Sequence, residues 1–533
     1  MLPFSQLLKK RSENGSGEKI LAAIDLGTNS FHIVIVRIRP DGTLDSLTKE
    51  KESVRLGSGS GDYAVIQDDA IERGIACLKR FKTLAESYKA EIRAVATSAL
   101  REAENRDIFL SRAEKEVGLK IDVVSGNEEA RLIYLGILQG LPVYDKRILM
   151  IDIGGGSTEL LVGEKGEILF STSLKLGAIR LTEKFLKKDP ITMMDLQKCR
   201  IHIESVLSSF LPQIEQWKPF QVIGSSGSIT SVASMILEKK GEKRERLNGA
   251  EFTYDQFKEI RKAVLEADSI KKRLKIPGLD AKRGDIIVAG ILVLDEVLHR
   301  LKSPSLVVSD FALRDGIVYD TIESWYRFEN TTLPALDNIR EKAIKSVSNL
   351  YPQGKKHAEQ VAKLTLQLFD DLKELHGLGA QEREYLETAC HLHQVGLCIS
   401  HHSYHKHSYY IIKNAESMVG FSNAEIEIIA LVARYHRKGG PKGKHEEFKV
   451  LRIEDQTLVK KLAAFLRIGD GLDRSEKSLL DRVEAKTEGN KVICEMIHKK
   501  ESDPHLELWS VEEKKDLFEE TFGVKLEFRS QSL

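Results

Sequence analysis

From Ile20 to Pro40 the chain reads ILAAIDLGTNSFHIVIVRIRP: an apolar β-rich run, a Gly-Thr-Asn-Ser turn, and a second run alternating through Ile33 and Ile35. This pattern predicts strand, tight turn, strand. Asp41-Gly42 supplies another turn, and a third strand leads to Val54-Arg55-Leu56-Gly57. From Ile148 the programme recurs as ILMIDIGGGSTELLVGEKGEILFSTSLKLGAIRL, with Ile-Asp-Ile-Gly matching Ile-Asp-Leu-Gly and Lys-Leu-Gly echoing Arg-Leu-Gly. One domain is written twice. Helices are expected over 69–90, 105–117 and 193–211, and strands over 91–97 and 220–223. Two α/β lobes facing each other across a cleft follow from that order.

Past Trp325 the pattern changes. Residues 326–340, with Thr331-Thr332-Leu333-Pro334 inside them, read as a linker into a helical stretch. His357 shares a helical face with Val361, Leu364 and Leu368; His393 follows Leu386 and Ala389, His436 follows Ile429 and Val432, and Asp470 follows Leu462 and Leu466. Four inward polar residues from four helices can therefore meet. Near the end, 491–497 and 524–528 read as strands around a helix over 511–521. The expected organisation is a flexible tail over 1–19, lobes over 20–145 and 146–325, the linker, an all-α domain over 341–482, and a small α+β module over 483–533.

The 533 residues are 41% hydrophobic and 30% charged, a mixture that excludes a disordered or membrane-embedded chain. Net charge is +1, so no global field attracts nucleic acid, and any anion site is local. The five cysteines are scattered without metal or CxxC spacing, which points to a reducing compartment. The start lacks a signal-like apolar stretch, and the run from Ile286 to Leu294 is too short to span a bilayer. A cytoplasmic protein without membrane or nucleic-acid partners is expected.

Either glycine turn alone reads as an ordinary hairpin; the pair implies more. Gly27, Thr28, Asn29 and Ser30 in one lobe and Gly154, Gly155, Gly156 and Ser157 in the other offer amides and hydroxyls to a chain of phosphates. Asp25 and Asp152, one at each strand end, suit a hydrated Mg²⁺, with Mn²⁺ as a substitute. Together they describe a phosphoryl-transfer site. Gly224 and Ser225, in a third small-residue turn, offer another phosphate site or tight packing, and Arg314 either reaches the cleft or closes the second lobe.

The segments AAIDLGTNSFHIVIVRI, ATSALREAENRDIFLSRAE, VVSGNEEARLIYLGI, LMIDIGGGSTELLVG and DFALRDGIVYD resemble, in order, the exopolyphosphatase and guanosine pentaphosphate phosphatase family of the actin and sugar-kinase superfamily. The resemblance implies two actin-like (ribonuclease H-like) lobes around the cleft. Glu128 and Glu129 open a predicted helix, where acidic residues complement the dipole in any protein. The resemblance makes Glu129 the base that activates water, turns Arg101 toward phosphate, and associates Glu159 with the metal site. It also implies a homodimer acting on inorganic polyphosphate or guanosine pentaphosphate. The leading reading is an exopolyphosphatase, the nearest rival a guanosine pentaphosphate phosphohydrolase, and the rival of another class an actin-like ATP-binding protein or a polyphosphate sensor.

Ten of the 15 histidines fall between His357 and His445. The spacing resembles an HD-domain phosphohydrolase, but the expected His-Asp pair is His393-Gln394, and an amide cannot supply the anionic ligand. A catalytically silent HD-like domain is expected. Arg434, Arg437, Lys438, Lys442 and Lys444 form a basic run that reads as a solvated loop or a polyanion track.

Overall fold

The duplicated apolar runs form paired hairpins. In the first, β1 (Lys19–Leu26) and β2 (Phe31–Ile38) are antiparallel with Leu26 opposite Phe31; in the second, β6 (Ile148–Ile153) and β7 (Thr158–Glu164) place Ile153 opposite Thr158. The computed structural model describes residues 18–39, 44–57, 65–219, 221–242, 247–329, 339–415, 417–418, 420–443, 445–500 and 502–532. Most of the expected tail, the Asp41-Gly42 turn, the centre of the expected linker and Lys444 lie outside these. The chain divides into two units, Met1–Thr332 and Leu333–Leu533.

In the first unit, β3 (Leu44–Glu52), β4 (Glu91–Ala96) and β5 (Ile121–Val123) complete a sheet of order β3-β2-β1-β4-β5. The second sheet adds β8 (Glu167–Leu174), β9 (Gln221–Ser225), β10 (Glu251–Thr253) and β11 (Ser305–Val308) in the order β10-β11-β9-β6-β7-β8. Both copies share the antiparallel meander followed by parallel additions. β1 is apolar on both faces because both are covered: Ala22, Ile24 and Leu26 join one core, Leu21 and Ala23 another. The first core includes Ile71, Ile75 and Leu78 of the helix Asp68–Ser87. The helix expected over 105–117 changes to π-helix at Ala113–Val117.

Two helices lie between the sheets and exchange lobes. The helix Gly126–Gly140 follows the first sheet in sequence but packs on β7 and β8, whereas Leu313–Glu329 follows the second sheet and packs on β1 and β2. They cross closely: a Cβ on Gly316 would stand 1.8 Å from Leu132 O. A buried ion network locks the crossing. Arg131 Nη2 reaches Glu128 Oε1 (2.6 Å) and Asp320 Oδ1 (2.5 Å), while Arg93 Nη1 on β4 donates to Asp320 Oδ2 (2.7 Å). Burial alone would raise the Asp320 pKa, but Arg131 and Arg93 hold it far below the carboxylate range.

The second unit has its own core, including Val361, Leu386, Ile429 and Leu466 from the helices Lys355–Asp371, Ala380–Leu392, Asn423–Tyr435 and Ile453–Leu472. The expected α+β module is not a separate body. Its sheet, β12 (Leu480–Glu488), β13 (Lys491–His498) and β14 (Lys525–Ser532), contributes Val483, Met496 and Leu526 to the same core. The edge of β12 is sealed by side chains of the helix Lys355–Asp371: Gln360 Nε2 donates to Leu480 O (2.7 Å), and Val483 and Ala485 N–H donate to Gln367 (3.0 Å) and Asp371 (2.9 Å). The helix expected over 511–521 is two, His505–Lys514 and Asp516–Phe522. No helix among the described residues is long and apolar enough to cross a membrane.

Replacing Asp320 by Ala leaves Arg93 and Arg131 without their shared acceptor. Chemical denaturation of the variant is expected to show about 3 kcal/mol or more of lost stability in the first unit's transition; an unchanged midpoint would remove the network from the account of how the lobes are joined.

Candidate active site

The two hairpin turns have the same internal bond: Gly27 N–H donates to Ser30 O (3.2 Å), and Gly154 N–H to Ser157 O (3.0 Å). Asp25 and Asp152 therefore occupy equivalent positions. Each turn is braced by the Leu-Gly echo of its own lobe. Gly57 N–H donates to Thr28 O (3.2 Å) and Arg55 N–H to Asn29 O (2.8 Å); Gly177, Ala178 and Ile179 N–H donate to the carbonyls of Gly156 (3.3 Å), Gly154 (2.9 Å) and Gly155 (2.9 Å). In a trans peptide N–H and C=O point oppositely, so the N–H groups following those carbonyls turn away from the brace. Gly27–Ser30 and Gly154–Ser157 all line one cavity of about 390 Å³. The turns approach so closely that a Cβ on Gly156 would fall 2.8 Å from Thr28 Oγ1, and one on Gly177 2.2 Å from Gly156 C.

Asp25, Glu129 and Asp152 line the same cavity. Burial, with the charges of Glu129 and Asp152 adding to it, pushes Asp25 up to about 8; burial pushes Asp152 up to about 6 against the hydrogen bond from Ser225 Oγ to its Oδ2. Glu129 is also raised by burial, although Arg101 Nη1 donates to its Oε2 at 2.8 Å. Asp25 Oδ1 is buried without a hydrogen-bond partner. Lys49, Lys51, Arg283 and Arg314 bring positive charge to the wall. Burial and Arg314 hold His32 down at about 3, so its neutral ring can accept from Arg314 Nη1 at 3.4 Å.

Several expected site residues stand elsewhere. Arg101 does not line the cavity; its guanidinium donates to Glu129 and to Val124 O (3.2 Å). Glu159 is fully buried opposite Asp152 in the β6–β7 ladder, with Oε1 accepting from Ser173 Oγ (2.7 Å), and lies behind the cavity wall. Gly224 is a packing position, since a Cβ there would meet Ile229 and Leu306 at 2.8 Å, and Ser225 serves Asp152. The next residues, Ser226 and Gly227, do line the cavity, as does Arg314. Lys49, Lys51, His32 and Arg283 were not foreseen. Lys49 and Lys51 share a face of β3, and His32 sits opposite Asp25 as Glu159 sits opposite Asp152; Arg283, on the short helix Ala281–Arg283, has no local signature.

The donor chemistry fits a divalent cation. Oxygen ligands on a polar wall, held toward their protonated forms by burial and further by their mutual repulsion, suit a hard ion such as Mg²⁺ or Mn²⁺. Among the described residues, His357, His393 and Asp470 are the only His, Cys or carboxylate trio whose ligand atoms converge within 4.8 Å. Asp25, Asp152 and Glu159 therefore do not form a closed cage, and an ion that retains its waters is the one they suit.

In the second unit the four expected polar residues meet. His357 Nε2 and His393 Nε2 each lie 3.4 Å from Asp470 Oδ1, and the His393 and His436 rings are 4.8 Å apart. Of the basic run, Arg434 is withdrawn from solvent, paired to Glu447 (2.8 Å) and stacked on Tyr409 and Tyr435. It does not extend a track; Arg437, Lys438 and Lys442 are exposed.

Residues 34–325 match the Ppx/GppA phosphatase family, and residues 339–515 match domain III of Ppx/GppA phosphatases. A guanosine-5'-triphosphate,3'-diphosphate pyrophosphatase of Vibrio vulnificus is 31% identical over 79% of this chain and 81% of its own length. One from Vibrio parahaemolyticus is 30% identical over 90% of this chain and 92% of its own. Among solved structures, an exopolyphosphatase from Cytophaga hutchinsonii shares 32% identity at TM-score 0.55, covering 57% of this chain and 98% of that one. That structure shares the fold of the part of this chain that it covers.

Asp25 and Asp152 are harder to ionise in the folded chain than in the unfolded one, so the folded state binds more protons between pH 3.8 and about 8. Stability of the metal-free protein is expected to fall as pH rises through that window. Added Mg²⁺ binds the ionised form, and its increment in Tm should grow with pH; a pH-independent increment in differential scanning fluorimetry would place the ion elsewhere.

Proposed function

The chain belongs to the Ppx/GppA phosphatase family, hydrolases of phosphoanhydride bonds, and we propose that it releases orthophosphate from the ends of inorganic polyphosphate. The carrying observation is the cavity wall. Lys49, Lys51, Arg283 and Arg314 line it, whereas no Phe, Tyr or Trp among the described residues does. Such a wall suits a chain of phosphates better than a base that needs a stacking partner.

In the proposed reaction the amides and hydroxyls of the two turns hold the terminal phosphoryl group while the cationic wall holds oxygens further along the chain. Glu129 accepts a proton from a water placed in line, the water oxygen bonds to the terminal phosphorus, and the bridging P–O bond breaks toward the shortened chain. A raised carboxyl pKa suits a base working near neutrality. Arg101 is a positioning residue: by fixing Oε2 it sets the direction of the other carboxylate oxygen. Asp25 and Asp152 would hold a divalent cation through water, and that ion, when bound, supplies positive charge to the phosphate oxygens.

The names of the curated relatives favour a second reading, hydrolysis of the 5′ terminal phosphate of guanosine pentaphosphate. Both substrates present the same reacting group. The ratio of kcat/KM for long-chain polyphosphate to that for guanosine pentaphosphate decides between them, and a ratio below one replaces the first reading with the second.

Glu129→Gln is expected to lower kcat by at least about 100-fold with little change in KM. Retained turnover would remove Glu129 from the role of base. Arg101→Met takes away the charge that opposes burial, so the acidic limb of the kcat profile should move to higher pH. A loss of kcat with an unmoved limb would mean that Arg101 acts on phosphate.

A further inference from the structure

A divalent cation in a His/Asp cluster requires ligands whose negative charge is not already neutralised. In the second unit His357 and His393 turn toward Asp470 Oδ1, and His357 Nδ1 is bonded to Asp473 Oδ2 at 2.9 Å. The geometry is that of a metal site, with three ligand atoms within 4.8 Å of one another. Two features oppose a metal there. Position 394, beside His393, is an amide. The second is a lysine from the far end of the unit: Lys514 Nζ donates to Asp470 Oδ2, the carboxylate oxygen that the histidines leave over.

Lys514 is held in place. It ends the helix His505–Lys514, which packs against the helix Ile453–Leu472 that carries Asp470; a Cβ on Gly471 would stand 3.0 Å from Val511 Cγ1. The lysine and aspartate side chains are 19% and 8% exposed, so the pair is largely shielded. Charge enters this carboxylate from an ammonium that cannot diffuse away. An incoming ion would have to displace it and leave a poorly solvated lysine unpaired, which is costly.

We propose that the Lys514 ammonium is a tethered replacement for the metal ion of this cluster: it neutralises Asp470, pins the helix His505–Lys514 to the helical core, and excludes divalent cations. The inference is independent of which phosphoanhydride the first unit cleaves.

Full-length wild type, Q394D, K514M, Q394D/K514M and D470N/K514M are compared by equilibrium dialysis against Mn²⁺ with metal analysis, and by thermal unfolding in chelator. Q394D is expected to bind as much Mn²⁺ as wild type, because the ammonium is still present. Q394D/K514M should bind about one additional Mn²⁺ per chain and gain Tm with the ion. In chelator K514M should unfold at lower temperature than wild type, and D470N/K514M, with neither charge, should recover part of that loss. Extra Mn²⁺ on Q394D with Lys514 in place, no extra ion on the double variant, or a K514M variant as stable as wild type would each overturn the proposal. If Q394D/K514M does not fold, the chelator comparison of K514M with D470N/K514M still decides it, absence of recovery counting against.

Discussion

Asp25, Glu129, Asp152 and Glu159 are drawn together where two hairpins meet, and in so shielded a place they cannot all carry charge unless positive charge joins them. Each is felt by the others: Glu129 and Asp152 raise both Asp25 and Glu159. The protein supplies a direct cationic partner to only one of them, Arg101 on Glu129. Such an arrangement costs folding free energy and persists because the backbone holding it is over-determined. The strands beneath Asp25 and Asp152 share one core through Leu21, Ala23, Ile148 and Met150 and are covered on their other faces by separate ones, and each turn is braced by its own lobe. Carboxylate charge left without a direct cationic partner favours a divalent cation, which on the proposed reading brings the phosphate chain with it.

The lobes are fixed to one another by interactions of unequal weight. Arg180 is 3% exposed; its Nε donates to Gly156 O and its Nη2 to Glu102 Oε1, both at 2.9 Å, so one guanidinium ties the second turn to the first lobe. Lys175 also reaches Glu102, and Arg55 reaches Asp285 at 3.0 Å, but these pairs are solvated and contribute little. Arg180 therefore ties the lobes on one side of the cavity, and the Arg131–Asp320 crossing ties them elsewhere. The second of these carries Glu129 on the same helix as Glu128 and Arg131, which couples the position of the proposed base to the packing of the lobes.

Legibility followed sequence separation. The hairpins, the turns and the equivalence of Asp25 with Asp152 were readable because strand, turn and strand are contiguous and the pattern is stated twice. The meeting of His357, His393, His436 and Asp470 was readable for a related reason: each sits on a periodic apolar face, and inward faces must share a core. Arg101 was turned toward phosphate by the resemblance, and its bond to Glu129 was not readable because that carboxylate is 28 residues away and leaves no local trace. Glu159 was associated with the metal by the resemblance, and alternation on β7 could not test this because it does not distinguish a cavity wall from the layer behind it. Lys51, Arg283 and Lys514 reach their sites through tertiary packing, and no motif marks them. β12 escaped notice because its buried residues, Leu480, Val483 and Ala485, follow no strict alternation, and its edge is satisfied by helix side chains that another part of the chain supplies.

The two units treat buried carboxylate charge in opposite ways. In the first, Asp25 keeps an oxygen without any hydrogen-bond partner, and the acids are left to repel one another across a cavity open to exchangeable ions. In the second, Asp470 is surrounded by His357, His393 and Lys514, so both its oxygens face nitrogen. A site that must bind and release charged substrate requires the first arrangement, because a tethered cation would compete with the mobile one at every turnover. A site that only has to hold helices together is better served by the second, since its counter-charge cannot be lost to a chelator or diluted away. On the proposed reading that contrast assigns the chemistry of the chain to the glycine-turn cavity and a structural office to the histidine-rich cluster.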